Sequence, residues 1–120
     1  MEKKEGNFVS FMQDVAFKPF DDITYKSMHG AIQVYKKKLP IAIIKDQECY
    51  LFVDKVNRSK YNVAKAKQYT FTKKSGKITK TDFYLAPEWV ISSSREFGQW
   101  VSDSIQAAGR KVSKFKQTEE

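Results

Sequence analysis

The chain has 120 residues, of which 41% are hydrophobic and 14% aromatic, so it is long enough for one packed domain and too short for two. Its formal net charge is +8, and no apolar run approaches the roughly 20 residues of a membrane helix, so we expect no membrane contact of that kind. One cysteine cannot form an internal disulfide, and the polar, partly acidic N-terminus is unlike a signal peptide, so we expect a cytoplasmic protein.

The N-terminal segment predicts one short helix. Asn7 is a suitable N-cap, because its side chain can accept a hydrogen bond from the first turn. Four apolar residues then recur at three- and four-residue spacing: Phe8, Phe11, Met12 and Val15. Pro19 should end the helix, because its nitrogen has no hydrogen to donate.

The next segment predicts strands joined by a glycine turn. Residues 23–28 and 32–35 have strand character and flank Gly30, which can adopt backbone conformations that other residues resist. A polar turn over residues 36–38 follows. Pro40 then stands at the start of the next strand, where a missing N–H group does least harm.

A tight hairpin is predicted at Asp46-Gln47, which alone separate the strands 41–45 and 48–53. The second strand has large apolar side chains at both odd and even positions. Both faces of the sheet should therefore be partly covered there.

A helix and a second hairpin are predicted next. Asp54 can cap a helix that continues to about Lys67, with Val56 and Val63 on one face. Residues 69–72 and 78–85 then form strands joined by a polar, glycine-containing loop.

The C-terminal third predicts helices. Pro87 and Glu88 suit a helical first turn, and Ser93 with Glu96 has the spacing of a capping box. An apolar stripe of helical period follows: Phe97, Trp100, Val101, Ile105, Ala108 and Val112. Gly109 weakens the last turns, and residues 113–120 are expected to be a flexible tail.

These elements predict an α+β domain of two layers, a curved antiparallel β-sheet with helices packed on one face. We expect one domain over residues 1–120 with its core between about residues 7 and 112. The order of the strands in the sheet cannot be read from the sequence.

The residues that commonly perform catalysis are sparse. Cys49 is the only thiol and lies in an apolar strand, where a small buried hydrophobe is the better interpretation than a nucleophile. His29 is the only imidazole, beside a turn glycine, and we expect a surface position. Two such residues cannot complete a zinc site, and the glycines do not cluster into a phosphate-binding loop. We predict no catalytic, metal or cofactor site.

Positive charge is concentrated in residues 55–80, the basic segment. It contains nine basic residues and no acidic one: Lys55, Arg58, Lys60, Lys65, Lys67, Lys73, Lys74, Lys77 and Lys80. The rest of the chain is therefore slightly negative. Such polarisation favours an anionic partner, either nucleic acid or an acidic protein.

The aromatic residues interleaved with these cations leave two interpretations open. Tyr61, Tyr69 and Phe71 could stack unpaired bases beside the lysines. Equally, Tyr69 and Phe71 would point to one face of their strand, most simply the core, and the lysines could be a solvated edge that blocks aggregation. Specific base readout is disfavoured, because no recognition helix or zinc finger is visible.

The order of four short motifs adds a family resemblance. They are Tyr25-Lys26-Ser27-Met28-His29-Gly30-Ala31, then Leu39-Pro40-Ile41-Ala42-Ile43-Ile44, then Glu48-Cys49-Tyr50-Leu51-Phe52-Val53-Asp54, and Asp82-Phe83-Tyr84-Leu85-Ala86-Pro87-Glu88. This series resembles the N-terminal domain of the TfoX/Sxy competence regulators from roughly Phe8 to Arg110. Ala31 stands where the family usually has a glycine, and Phe52 where a lysine is common.

The resemblance implies a non-catalytic regulatory or adaptor module. Members of the family are linked to transcription of DNA-uptake genes, alongside the cyclic-AMP receptor protein. We therefore expect transcriptional regulation through protein or nucleic-acid contacts. The alternative is a protein–protein adaptor that does not bind nucleic acid and that could form a homodimer. Exposure of Trp89 or Trp100 at the surface would favour this alternative.

Overall fold

The computed structural model describes residues 2–28 and 30–119 of the chain, with side chains over residues 7–28 and 30–112. The helices are α1 (Glu2–Phe11), α2 (Arg58–Val63), α3 (Glu88–Ile91) and α4 (Ser94–Glu119). The strands are β1 (Ile23–Met28), β2 (Ala31–Lys36), β3 (Leu39–Lys45), β4 (Glu48–Phe52), β5 (Gln68–Thr72) and β6 (Ile78–Leu85).

The six strands form one antiparallel sheet in the order β1-β2-β3-β4-β6-β5. The predicted α+β class is confirmed. The first four strands are sequential hairpins, whereas β6 lies between β4 and β5. Pairing of Leu51 with Tyr84 sets the register between β4 and β6.

One face of the sheet, here the helical face, packs against α4. Cross-strand partners Val34, Ala42 and Leu51 lie on this face and share a buried cluster with Phe97 and other residues of α4. Burial of this apolar surface is the main stabilising contribution to the fold.

The opposite face of the sheet carries a second, smaller cluster. Its buried members are Ala31, Ile43 and Tyr50, with Phe83 and Leu85 packed against them. Both faces of β4 are therefore covered, as the alternation of its side chains predicts.

The turns between the strands follow from local backbone chemistry. Asp46 and Gln47 have φ of 51° and 63°, the left-handed pair that a two-residue hairpin turn requires. Gly30 has φ of 77°, as expected for the β1–β2 turn. Ala31 already belongs to β2 and pairs with Met28, so the alanine at this position needs no left-handed conformation.

The predicted helix at the N-terminus has different bounds and a different face. α1 begins at Glu2, so Asn7 lies inside the helix rather than at its cap. One π-helical turn follows over Met12–Ala16, closed by a bond from the Phe17 N–H group to the Met12 carbonyl at 2.8 Å. This wider turn changes which side chains of the predicted apolar stripe face the core. Met12 and Phe17 are buried, whereas Val15 is 53% exposed.

The helix predicted to continue to Lys67 is shorter. α2 ends at Val63, because Lys65 adopts φ of 54° and its N–H group donates to the Asn62 carbonyl at 3.0 Å. Ala66 donates to Tyr61 at 3.0 Å, which completes a Schellman motif with a lysine in place of the usual glycine. Asn57, not Asp54, stands at the N-cap position.

α4 carries the predicted stripe. Phe97, Trp100, Val101 and Ala108 are buried, whereas Val112 is partly exposed. The Glu96 N–H group donates to the Ser93 hydroxyl at 3.2 Å, which confirms Ser93 as the cap. The Ser93 N–H group donates to the Val90 carbonyl at 3.1 Å, so the reciprocal bond of a capping box is not formed. The backbone continues as helix to Glu119, through most of the segment predicted as a tail, and the flexibility of that segment stays a prediction. In the described residues, no helix combines the length and apolar character needed to span a bilayer.

Candidate interaction surfaces

The structure divides the basic segment between the two faces of the sheet. On the helical face, the Arg58 guanidinium lies 5.9 Å from the centre of the Tyr84 ring. Lys80 precedes Tyr84 by four residues on the same strand and so shares its face, about 13 Å away. Lys67 lies on the opposite face, with its Nζ atom 5.9 Å from the centre of the Tyr50 ring.

Within the described part of the chain, two of the nine cations contact carboxylates. Lys60 forms an ion pair with Asp103, and Lys67 lies 3.4 Å from Glu48. The neighbouring Tyr50 hydroxyl and Glu48 carboxylate raise the pKa of Lys67. Burial, chiefly, and the hydrogen bond to Glu48 raise the pKa of Tyr50 to about 12. Both ion pairs are surface pairs of small energetic value.

The remaining cations are exposed, and four of them belong to the β5–β6 hairpin. We call this set the hairpin lysines: Lys73, Lys74, Lys77 and Lys80. The loop that presents them is ordered by bonds between Lys73 and Lys77 and by Gly76, whose φ is 91°. Lys73, Lys74 and Lys77 thus lie in the loop of this hairpin, and Lys80 lies within β6, where it pairs with Thr70.

The three aromatic residues interleaved with these cations lie in different environments. Tyr61 is buried and packs edge-on against Trp100, 4.7 Å between ring centres, so it cannot stack a base. Tyr69 packs against Tyr50 at 5.0 Å on the opposite face. Phe71 is 44% exposed and is the one of the three that is open to a ligand.

A groove of about 710 Å³ runs between α2 and the helices α3 and α4. We call it the α2–α4 groove. Its apolar wall residues are Val56, Val63 and Trp89, and Trp100 forms part of its lining. Trp89 packs edge-on against Trp100, 5.9 Å between ring centres, and the Lys60 Nζ atom lies 4.6 Å from the Trp100 ring centre.

Val56 and Val63 do share one face, as the sequence predicts, but that face is the groove. They are 70% and 82% exposed, whereas Tyr61 on the other side of α2 is buried. The short helix therefore presents a second apolar surface, which a single core-facing stripe would not.

Asp54 and Arg110 fix the α2 segment against α4. The Arg110 guanidinium donates to both carboxylate oxygens of Asp54, at 2.7 Å and 2.9 Å. The same carboxylate accepts from the Val56 N–H group at 2.9 Å and from the Asn57 N–H group at 3.4 Å. The hydrogen bond from Arg110 is the main cause of a lowered pKa at Asp54. This contact holds the turn that presents Val56.

The comparison with protein families decides the classification. The model of the TfoX N-terminal domain matches residues 15–108, which is most of the chain. The chain belongs to the TfoX N-terminal domain family. No curated protein matches the sequence.

In this member of the TfoX N-terminal domain family, Cys49 is poorly placed for catalysis. Cys49 is fully buried, and burial raises the pKa of its thiol, which confirms the core interpretation. His29 lies outside the described residues. Over residues 2–28 and 30–119, no group of histidine, cysteine and acidic side chains is arranged to hold a metal ion.

The α2–α4 groove is the feature of this family member that sequence reasoning missed. Trp89 is 59% exposed there, whereas Trp100 is only 4% exposed. The spacing of Val56 and Val63 was the available signal. That heptad spacing predicts the shared face but does not show whether the core or solvent lies on that side.

Proposed function

We propose that the chain is a cytoplasmic, non-catalytic regulatory module of the TfoX type that acts in transcriptional control of competence genes through contact with nucleic acid. Membership of the TfoX N-terminal domain family supports a regulatory role. The exposed hairpin lysines are the single observation that supports nucleic-acid contact. Phe71, which precedes them, adds one exposed ring.

The expected binding is electrostatic and indifferent to base sequence. Lysine is a point charge that neutralises phosphates, whereas reading base edges favours planar arginine forks. If the hairpin lysines neutralise four phosphates, the slope of log affinity against log salt is about −3.6. Affinity should then fall about 150-fold between about 50 and 200 mM salt.

The test is a titration of labelled duplex DNA at several salt concentrations with two matched variants. The double variant Lys73→Gln/Lys74→Gln should reduce the salt slope by about 1.8. The control Lys37→Gln/Lys38→Gln removes the same charge from the exposed β2–β3 turn and should leave the slope unchanged. Equal effects of both variants would show a response to net charge alone and refute the assigned surface.

A protein–protein adaptor is the second candidate function. The exposure of Trp89 in the α2–α4 groove favours it, because large exposed aromatic residues in concave apolar surfaces commonly anchor partner proteins. An adaptor without nucleic-acid contact would show no DNA binding even in dilute buffer. Sedimentation at several protein concentrations would separate a homodimer from a monomer that needs another partner.

A further inference from the structure

We propose that the exposed edge of β5 binds an extended strand of another protein, which adds to the six-stranded sheet and carries acidic side chains at its end. This inference rests on the adaptor candidate and names a contact surface and a partner for it. The surface is the edge of the sheet and not the α2–α4 groove.

β5 lies at one edge of the sheet. Among the described residues, the strand order places β6 on one side of it and no strand on the other. Thr70, Phe71 and Thr72 are all exposed, and β6 is the element with which β5 makes its extensive contacts. An edge of this kind presents main-chain groups to which another strand can bind.

The phase of the β5–β6 hairpin shows which groups point outward. Paired residues of antiparallel strands alternate between pairs that exchange hydrogen bonds and pairs whose N–H and C=O groups point away from each other. The Lys73 N–H group donates to the Lys77 carbonyl at 2.8 Å, so this pair is of the first kind. Thr72 and Thr70, one and three residues earlier in β5, are therefore of the second kind. Their N–H and C=O groups point away from β6, with about 7 Å between the two residues.

These outward groups are suited to a strand. In the part of the chain that the structure describes, no other main-chain group bonds to those of Thr70 and Thr72. An extended chain repeats its N–H and C=O groups at the same two-residue interval, whereas the main-chain groups of a helix are already paired within the helix. Phe71 is 44% exposed and offers an apolar neighbour to a cross-strand side chain.

The two edges of the sheet differ in their protection. β1 contains Lys26, and a charge within an edge strand discourages pairing with another strand. β5 contains neither a charged residue nor a proline, and four of its five residues are threonine, tyrosine or phenylalanine, which favour strands. Its register shift lies between Gln68 and Thr70, before the regular part of the edge.

Charge selects an acidic strand. Lys73 and Lys74 directly follow β5, both are exposed, and neither contacts a carboxylate among the described residues. Lys67 precedes β5 but already lies 3.4 Å from Glu48, so the selection depends on the other end. A strand that pairs with the β5 edge ends beside Lys73 and Lys74, where acidic side chains are attracted.

The same lysines disfavour pairing of β5 with β5 of a second copy. An antiparallel pair about a two-fold axis brings the C-terminal end of each β5 beside the N-terminal end of the other. Lys73 and Lys74 of one protomer would then approach Lys67 of the other. Like charges in these positions are repulsive.

Pairing of β5 with β1 of a second copy is also disfavoured, although Asp21 and Asp22 precede β1. The Lys36 Nζ atom donates to the Asp21 backbone carbonyl at 2.6 Å, and the Lys37 N–H group donates to the Asp22 carbonyl at 2.8 Å. Two cations therefore lie beside the two acids, and this end of β1 offers no net negative charge. The occupant with uncompensated acidic side chains is a different protein.

The first test uses labelled synthetic peptides of about nine residues, within the usual length of one strand. The glutamate peptide alternates threonine and valine in its centre and has paired glutamates at both ends, so that either direction brings acids to Lys73 and Lys74. The lysine peptide has lysine in place of each glutamate. Fluorescence anisotropy should show that the full chain binds the glutamate peptide at least about tenfold more tightly, with a smaller difference at high salt.

The lysines that follow β5 should account for this preference. Lys73→Gln/Lys74→Gln should bring the two affinities closer together, because it removes the charges beside the end of the bound strand. Lys37→Gln/Lys38→Gln removes the same charge from the β2–β3 turn and should leave the preference unchanged.

N-methylated peptides test whether the contact is made through the main chain of an extended strand. Methyl groups on alternate residues of the glutamate peptide leave one of its edges free to bind. The same number of methyl groups on consecutive central residues places a methyl group against β5 in either register. The consecutively methylated peptide should bind at least about tenfold more weakly than the alternately methylated one.

A proline variant localises the contact on the protein. Thr72→Pro removes one outward N–H group, and proline is tolerated at edge positions whose N–H group faces solvent. It should weaken binding of the glutamate peptide at least about tenfold. Ser27→Pro is the matched control, because the bond from the Lys37 N–H group to the Asp22 carbonyl gives Ser27 the same outward position in β1. The N-methylated peptides use the unaltered protein and so decide the question even if Thr72→Pro misfolds.

Four outcomes would overturn the inference. They are equal affinity for the glutamate and lysine peptides, equal affinity for the two N-methylated peptides, equal weakening by Thr72→Pro and Ser27→Pro, and a self-association in sedimentation that Thr72→Pro abolishes. Absence of peptide binding with retained salt-dependent DNA binding would refute the edge inference alone. Peptide binding without DNA binding would instead refute the nucleic-acid half of the proposed function.

Discussion

Replacement of Asp54 by alanine should destabilise the fold, because it removes two sets of hydrogen bonds. The first is the bidentate pair with Arg110, which spans two segments far apart in sequence. The second is the pair of bonds that the carboxylate accepts from the Val56 and Asn57 N–H groups. Both parts depend on one side chain, so their loss is simultaneous.

The size of the expected loss in unfolding free energy follows from the exposure of the Asp54 and Arg110 side chains. The Asp54 side chain is 26% exposed and that of Arg110 is 39% exposed, so the ion pair contributes at most about 1 kcal/mol. Loss of a carboxylate that accepts backbone N–H groups in a turn costs about 1 kcal/mol, as at a helix cap. We expect Asp54→Ala to lower the free energy of unfolding by about 1.5–2 kcal/mol.

Urea unfolding followed by circular dichroism measures this quantity. Asp82→Ala is the control, because Asp82 is exposed. Its backbone carbonyl accepts a hydrogen bond from the Val53 N–H group, and the substitution leaves that bond in place. A double-mutant cycle with Arg110→Ala should give a coupling energy of about 0.5–1 kcal/mol. Equal stability of the Asp54→Ala and Asp82→Ala variants, or strict additivity in the cycle, would refute the reasoning.

The same variant predicts a pH dependence. The Arg110 guanidinium lowers the pKa of Asp54 in the native state, so the contact stabilises the fold above the unfolded pKa of about 3.9. This stabilisation is lost as the pH falls through the lower native pKa. The deficit of Asp54→Ala should therefore be constant above about pH 5 and shrink below about pH 4. A deficit that grows on acidification would contradict this assignment.

Three further predictions concern the core, a turn and the thiol. Leu51→Ala should cost about 2–5 kcal/mol in urea unfolding because Leu51 is fully buried, whereas Val63→Ala should change stability by at most about 0.5 kcal/mol; similar costs would contradict the burial. Gly30→Ala should cost about 1 kcal/mol through its φ of 77°, since nothing lies within 4 Å of an added Cβ atom, and an unchanged midpoint would show that the turn relaxes. Cys49 should react with a thiol reagent only on unfolding, since burial raises its pKa and blocks access, so rapid native labelling would disprove its place in the core.

The hairpins were predictable because their determinants are local. Asp46-Gln47 separates two apolar runs by the length that a two-residue turn needs, and Gly30 supplies a left-handed residue between two strand patterns. In each case the residues that determine the turn lie within the turn itself and the strands next to it. The same holds for the Ser93 cap of α4.

Features that depend on distant partners were not predictable. The position of β6 between β4 and β5 depends on packing, because any of several strand orders satisfies the same alternation. The end of α2 depends on a lysine in a left-handed conformation, which residue type disfavours. The pairing of Asp54 with Arg110 joins positions whose proximity only the folded chain creates.

For the candidate interaction surfaces, the charges were predictable from the sequence but their arrangement was not. Nine cations in one segment are visible at once, yet the sheet places Arg58 and Lys67 on opposite faces and leaves the hairpin lysines as a separate group. That separation arises because side chains alternate along a strand while the segment contains a helix, a connection and a hairpin.

The insertion of β6 beside β4 has a kinetic consequence. Hairpins β1–β2, β2–β3, β3–β4 and β5–β6 close over short turns, but β4 and β6 meet only after the chain from Val53 to Lys77 has been looped out. Closing that loop costs chain entropy before its contacts, such as Phe52 against Phe83, are gained. Formation of this one ladder is therefore the step at which we expect the folding barrier to lie.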